Sequence, residues 1–582
     1  MHHISRFRVS GLHWLCGLLA AVLFCAQPAI AAPTDILLSR TTIYQTAGAN
    51  AVVGMLTSAD DDTSDHTYTL VAGEGDTDNA LFAISESSLL ANDSSTLVTG
   101  SYSIRIKSDD GNGGTFEKQF TITASDGVFV WSGAGPYREW TIPENWVGNV
   151  APEAGATLIF PADGVTTRES INNLPTGTPI NSITIEANFY DIYGEPITLT
   201  GGITANWPDG KSWYALDTTL AEPQAINVSG DAELVFNARL GGAQALTKTG
   251  TGTLTLFNGA DHSYSGTTNV NEGTLLLAAR NSAVAVGTAL SIAAGATVRF
   301  AEPEYAGEIV TDGQIASAVS VTVDEGGTLD LNGRIGTLHN LTLTGGRVIT
   351  GTGGSLILTG SLTTYASSVS STIEGPGTLD LNGNTLQISV GHHASLATDL
   401  EIGAVIKNGA LTKTGAGTLK LSGVNTYGGD TTVSAGTLAL SGGDAISANS
   451  SVSVASGATL ALSSNETIGN LSGAGNIDLG SSVLTTTQTD NTTFSGNISG
   501  TGGLTITQHI NAGYSLTLSG TNSYSGNTTT TNYGWVRLDG DASVSANSAL
   551  RIHDSSKVTL LSDQTVASLS MNTTSATLDL GV

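Results

Sequence analysis

"LTKTGTGTLTLFNGADHSYSGTTNVNEGTLLL", residues 246–277, returns in close copy as "LTKTGAGTLKLSGVNTYGGDTTVSAGTLAL", residues 411–440. Each copy opens on Leu-Thr-Lys-Thr-Gly, enters a Gly-Thr-Leu strand, passes a Tyr-x-Gly turn and closes on Gly-Thr-Leu again. Neither contains a cysteine or a glycine-rich phosphate loop, so the repetition serves architecture before chemistry. Gly252, Gly273 and Gly295 open successive strands, as do Gly417, Gly436 and Gly457. "TLDLNG" occurs at 328–333 and at 378–383, "TLDLG" ends at Gly581, and a weaker third copy of the opening stretch covers 504–538. A period of about 20 residues with short alternating strands is the signature of a coil that stacks on itself.

The fold predicted is all-β: a right-handed parallel β-helix (solenoid) over 246–582, preceded by a small β-sandwich. In each coil Leu254 and Leu256, or Leu329 and Leu331, point inward, and the Thr or Asp between them faces water. Equivalent positions then stack Leu on Leu and Thr on Thr, with glycine at corners that need positive φ. Roughly 16 coils at a ~4.8 Å rise would extend ~75–80 Å. No segment sustains helical periodicity.

Composition agrees. Glycine contributes 72 of 582 residues and charged residues only 12%, a profile of short strands and tight turns. Hydrophobic residues at 40%, set in alternation, argue against disorder. The formal charge of −29 opposes nucleic-acid binding. Residues 1–31 read as a signal peptide: a basic start, the apolar "GLHWLCGLLAAVLF", and Ala29-Ile30-Ala31 as the cleavage pattern. The apolar stretch is short for a membrane anchor. Both cysteines, Cys16 and Cys25, fall within it, and Phe24 is too bulky for a lipoprotein signal, so the mature chain has no disulfide. Export to the surface or the medium is the expected location.

Residues 33–124 alternate as strands separated by acidic turns, at the spacing of a sandwich. "PTDILLS", "VVGMLTSADDD", "YTLVAGEGDTDNALFAI" and "YSIRIKSDDGNGGTFEKQFTIT" follow in the order seen in bacterial cadherin-like domains, which this segment resembles. The resemblance implies calcium held by Asp60, Asp62 and Asp109. Gln45 stands where that family has a glutamate, and its Leu-Asp-x-Glu and linker motifs are missing. A hard cation needs six or more oxygens, so a metal-free domain is expected, with calcium the one cofactor the resemblance admits.

Residues 125–245 hold five of the seven tryptophans. Trp140 and Trp146 are candidates for stacking on a sugar; the alternative, favoured here, is that they cap the open end of the array. At 246–277, and at "NETIGNLSGAGNIDLGSSVLTTTQTDNTTFSGNISGTGGLT" (465–505), the chain resembles the autotransporter-associated β-strand repeat, or passenger-associated transport repeat. That resemblance implies a secreted or surface β-helical passenger of a Gram-negative-type bacterium. It also implies an outer-membrane translocator barrel, which this sequence does not contain, so a truncated fragment or another export route is the expectation.

No protease-like Gly-Asp-Ser-Gly segment occurs, and His392, His393 and His509 read as surface histidines. A β-helical polysaccharide lyase or hydrolase is the rival reading. It would draw on Asp330 and Asp380, equivalent positions of the two "TLDLNG" stretches, stacked on one outer face with Arg334 as the nearby base. The sequence reading is a non-enzymatic, adhesin-like scaffold whose partners are extracellular polysaccharide or a host or neighbour cell surface.

Overall fold

A computed structural model describes residues 32–60, 65–510, 513–572 and 575–581. The signal-peptide reading of 1–31, and Asp62 of the proposed calcium set, lie outside the described residues. Chain contacts divide the protein into two units, Met1–Gly127 and Val128–Val582.

The described residues of the first unit form eight strands: β1 (Asp35–Leu38), β2 (Thr42–Tyr44), β3 (Ala49–Ala59), β4 (Thr67–Leu70), β5 (Phe82–Ser85), β6 (Ser88–Asp93), β7 (Gly100–Asp109) and β8 (Thr115–Ser125). They form two four-stranded sheets, ordered β1-β3-β6-β5 and β2-β8-β7-β4. Among the described strands of this unit, only β2 against β8 is parallel. Alternation places Ile36, Val53, Leu56, Leu89, Ile104 and Ile122 in one shared core, an arrangement compatible with a sandwich.

The second unit is a parallel β-solenoid of about 19 turns. One sheet runs its whole length, from Val128–Val130 to Thr577–Asp579. A second, of 16 strands, runs from Glu169–Asn172 to Ile498–Ser499. A third face is built only in some coils: four strands between Ile335–Leu338 and Val405–Lys407, and six between Glu466–Ile468 and Ser568–Met571. The coiling begins at Val128, within the Trp-rich segment, well before residue 246.

Register follows the repeat. Leu254, Leu275, Val298 and Leu329 pair in succession and are fully buried, while Thr253, Thr274, Thr297 and Thr328 form the adjoining ladder. Burying each such Leu contributes about 1.5–3 kcal/mol. The glycines divide the corner work. Gly250 and Gly415 have φ of 75° and 76°. Gly252 instead lies so close to the previous coil that a Cβ would come within 2.7 Å of Ala232 O.

Two expectations are corrected. Thr255 does not face water: it is fully buried and its hydroxyl donates to Glu233 Oε1 at 2.6 Å. A hairpin of Glu304–Tyr305 and Glu308–Ile309 lies over it, the Tyr305 hydroxyl donating to the same Glu233 oxygen. Asp330 and Asp380 do not share a face, since Asp330 lies in the second sheet and Asp380 in the third. Their local structure is nevertheless the same. In each, the carboxylate accepts from the Asn two residues on at 2.8 Å, and that Asn (Asn332, Asn382) is left-handed.

Candidate functional site

The repeated stretch spends its polar residues inside the solenoid. Lys248 sits in an apolar column between Ile226 and Val270, and Lys413 between Ile388 and Val433. The strand's alternation turns both inward, and both are fully buried. Lys248 Nζ donates to the carbonyls of Thr249 (2.7 Å), Gly250 (2.6 Å) and, in the next coil, Glu272 (3.1 Å). Lys413 Nζ repeats this with Thr414 (2.9 Å), Gly415 (2.8 Å) and Ala435 (3.0 Å). Each ammonium thus ties a corner to its neighbour, using all three of its protons. Burial draws both pKa values down to about 8.

The Tyr-x-Gly turn holds a second device. Tyr264, Tyr427 and Tyr524 are buried, and each hydroxyl meets that of the Thr four residues on: Thr268 (2.6 Å), Thr431 (2.8 Å) and Thr528 (2.5 Å). Tyr214 and Thr218 form the same pair at 3.0 Å, outside any recognisable copy of the motif. Two residues before the tyrosine, Asn425 accepts from Ile406 N and donates to Ala445 O, spanning three coils. Asn522 does likewise with Ile498 and Ser543. His262 takes that place in the first copy: Nδ1 accepts from Leu240 N at 3.0 Å, but Nε2 has no partner. Burial lowers its pKa to about 4, so it is neutral.

Glu466 is a buried carboxylate of the array. It accepts from Ala445 N (3.2 Å) and Ile446 N (2.8 Å), and burial raises its pKa to about 7. Sequence reasoning missed Glu466, Lys248 and Lys413 as interior groups. The signal available was position: each occupies an inward slot of an alternating strand.

Of the calcium set, Asp60 is paired with His66 at 3.0 Å, both side chains nearly inaccessible. Asp109 receives Gly111 N at 3.0 Å and Lys107 Nζ at 3.3 Å, and these bonds lower its pKa. Among the described residues no three His, Cys, Asp or Glu side chains cluster as metal ligands.

Trp140 and Trp146 are buried, with ring centroids 6.1 Å apart and edge-to-face geometry. Trp146 Nε1 donates to Trp140 O at 2.9 Å, and Trp140 Nε1 to Ser170 Oγ at 3.1 Å. Trp131 and Phe160 complete the cluster.

Asp330 pairs with Arg299 (3.4 Å) and Asp380 with Lys407 (3.5 Å), so each carboxylate is neutralised by an adjoining coil. Arg334 points elsewhere, to Asp312 at 2.8 Å. His392 meets Asp399 at 3.2 Å, whereas Ser395 meets the other histidine, His393, through Nδ1. Serine and acid therefore sit on different imidazoles, and no triad is assembled there. His509 is exposed. Among the described residues no helix is long and apolar enough to cross a membrane.

A parallel solenoid whose repeat residues bolt coil to coil defines a structural repeat protein. Residues 246–277 and 411–440 match the family model of the passenger-associated-transport-repeat. No curated protein and no solved structure matches the chain. Repeat and solenoid together support an autotransporter passenger-like protein.

Proposed function

We propose that this chain is an exported, non-enzymatic scaffold displayed at a bacterial surface, as an adhesin-like passenger is. The observation that carries this reading is the use of the two family repeats. Lys248, Lys413 and the Tyr–Thr pairs, the polar residues the motif repeats, bond within the solenoid and serve its architecture. The basic and apolar character of residues 1–31 supports cleavage after Ala31. Burial of Trp140 and Trp146 favours the cap over the sugar platform.

The test is to express the whole gene in a Gram-negative host and treat intact cells with protease. Accessible protein beginning at Ala32 supports the reading. Protein retained inside the inner membrane with residues 1–31 intact would overturn it.

Within this reading, the first unit is a cadherin-like sandwich that folds without calcium. The specific support is the His66–Asp60 pair and the Lys107–Asp109 pair, which already engage two of the three carboxylates. Its melting transition should coincide in millimolar calcium and in chelator. A rise of many degrees with calcium would restore Asp60, Asp62 and Asp109 as a site.

A further inference from the structure

Beyond Phe300 the chain leaves the coil as a hairpin. Strands Glu304–Tyr305 and Glu308–Ile309 pair antiparallel around Ala306 and Gly307, both at positive φ. The hairpin turns back over the outer face of the second sheet and is held there by Tyr305. The phenol bonds to Glu233 and lies 2.9 Å from Lys211 Nζ, and its ring is 5.4 Å from Phe257. Between hairpin and sheet lies a cavity of about 200 Å³, lined by Leu276, Arg299, Phe300, Glu302, Tyr305 and Asn332.

We propose that this cleft binds one neutral sugar residue of a glycan. One side is apolar, made by Leu276 and by the ring of Tyr305, whose hydroxyl is already engaged. The same lining carries a guanidinium, an amide and a carboxylate linked to one another. Arg299 Nη2 donates to Asn332 Oδ1 at 3.0 Å, and Asn332 Nδ2 to Glu302 Oε1 at 3.1 Å. Asn332 is further anchored to Phe300 O at 3.1 Å. Asn332 spends both amide protons in holding this set together, so the guanidinium of Arg299 and the carboxylate of Glu302 are the planar, paired groups left to grip neighbouring hydroxyls. An apolar wall in the same cleft as such a set suits a pyranose, with C–H groups on one side and hydroxyls on its edge.

Size and charge narrow the choice. Drug-sized ligands occupy pockets of ~300–1,000 Å³, so this cleft takes a single ring. Arg299 already faces two carboxylates, Asp330 at 3.4 Å and Glu302 at 3.7 Å. A phosphate or uronate would add a third negative group to one cation, in a chain of net charge −29. The neutral sugar avoids that repulsion. The cleft does not depend on the export reading or on the Trp cluster.

Saturation-transfer NMR on the full chain tests it, with methyl glycosides of glucose, galactose and mannose as probes and glucuronate as the charged control. At least one methyl hexoside should receive saturation, and glucuronate should receive less. Arg299→Lys keeps the charge but loses the fork, and Glu302→Ala alters an exposed side chain; each should weaken binding tenfold or more with an unchanged melt. Three results would overturn the proposal: no saturation of any hexoside by the native chain, equal saturation in both variants, or preferential binding of glucuronate.

Discussion

A lysine inside an apolar column is costly, and the surroundings of Lys248 and Lys413 show what offsets it. Desolvation alone would expel the charge, but three carbonyls receive it, two of them left open by the corner at Gly250 or Gly415. Replacing Lys413 by Met fills the volume and strands those carbonyls; each unsatisfied buried group costs about 1–3 kcal/mol. Urea denaturation should show a loss of about 3 kcal/mol, and a gain would mean the ammonium is a burden. Glu466 gives a pH signature. Its folded pKa of about 7 lies above the ordinary 4.5, so the folded state holds the proton more tightly. The associated stability is complete below pH 4.5 and is lost as pH rises through 7, on the order of 3 kcal/mol. The melting temperature should fall between pH 5 and 8 more steeply in the native chain than in Glu466→Gln; parallel curves would remove Glu466 as the cause. Neither residue declared its role in sequence. Alternation places Lys413 and Glu466 inward, yet composition rules assign charged side chains to the surface.

At the scale of the element, a strand's inner face was legible and its outer face was not. Leu254, Leu256, Leu329 and Leu331 are buried as alternation requires. The fate of Thr255 was decided by a hairpin some fifty residues later, which no local pattern carries. "TLDLNG" teaches the same lesson. The six residues fix the Asx turn at Asp330 and at Asp380, but the coil around each decides which sheet it joins. In the second repeat copy the position of Thr255 is taken by Lys420, which pairs with Glu401 at 3.0 Å on a partly exposed face. Thr255→Asp would set a second carboxylate against Glu233 beneath the hairpin, at a cost of about 3–5 kcal/mol. Lys420→Thr should change stability by less than ~0.5 kcal/mol, because an exposed pair contributes little. Similar losses in thermal melts of the two variants would show that the hairpin does not seal its face.

For the whole molecule, the period of the sequence was enough to foresee the solenoid, and the few basic residues show how its register is kept. Lys211–Glu233, Arg299–Asp330, Arg347–Glu374 and Lys407–Asp380 each link different coils. Each pair is weak, but a slipped coil would set like charges together, so the pairs act on specificity more than on stability. Cohesion therefore rests on contacts between neighbouring coils, and a defect should stay local. Leu419 stacks between Leu400 and Leu438, and Leu419→Asp would place an unpaired charge in that column. Amide exchange should quicken in Leu400–Ile402, Thr418–Leu421 and Thr437–Leu440, leaving Thr253–Phe300 protected. Leu254→Asp should behave differently. The hairpin that starts beyond Phe300 reaches Lys211 and Glu233, so it joins the strands at 211–215, 233–236, 253–256, 274–277 and 297–300 into one block. Exchange should then rise across all five strands together. Loss confined to the coils beside Leu254 would mean that the hairpin covers the sheet without coupling it, and loss of protection over the whole solenoid in either variant would refute nearest-neighbour cohesion.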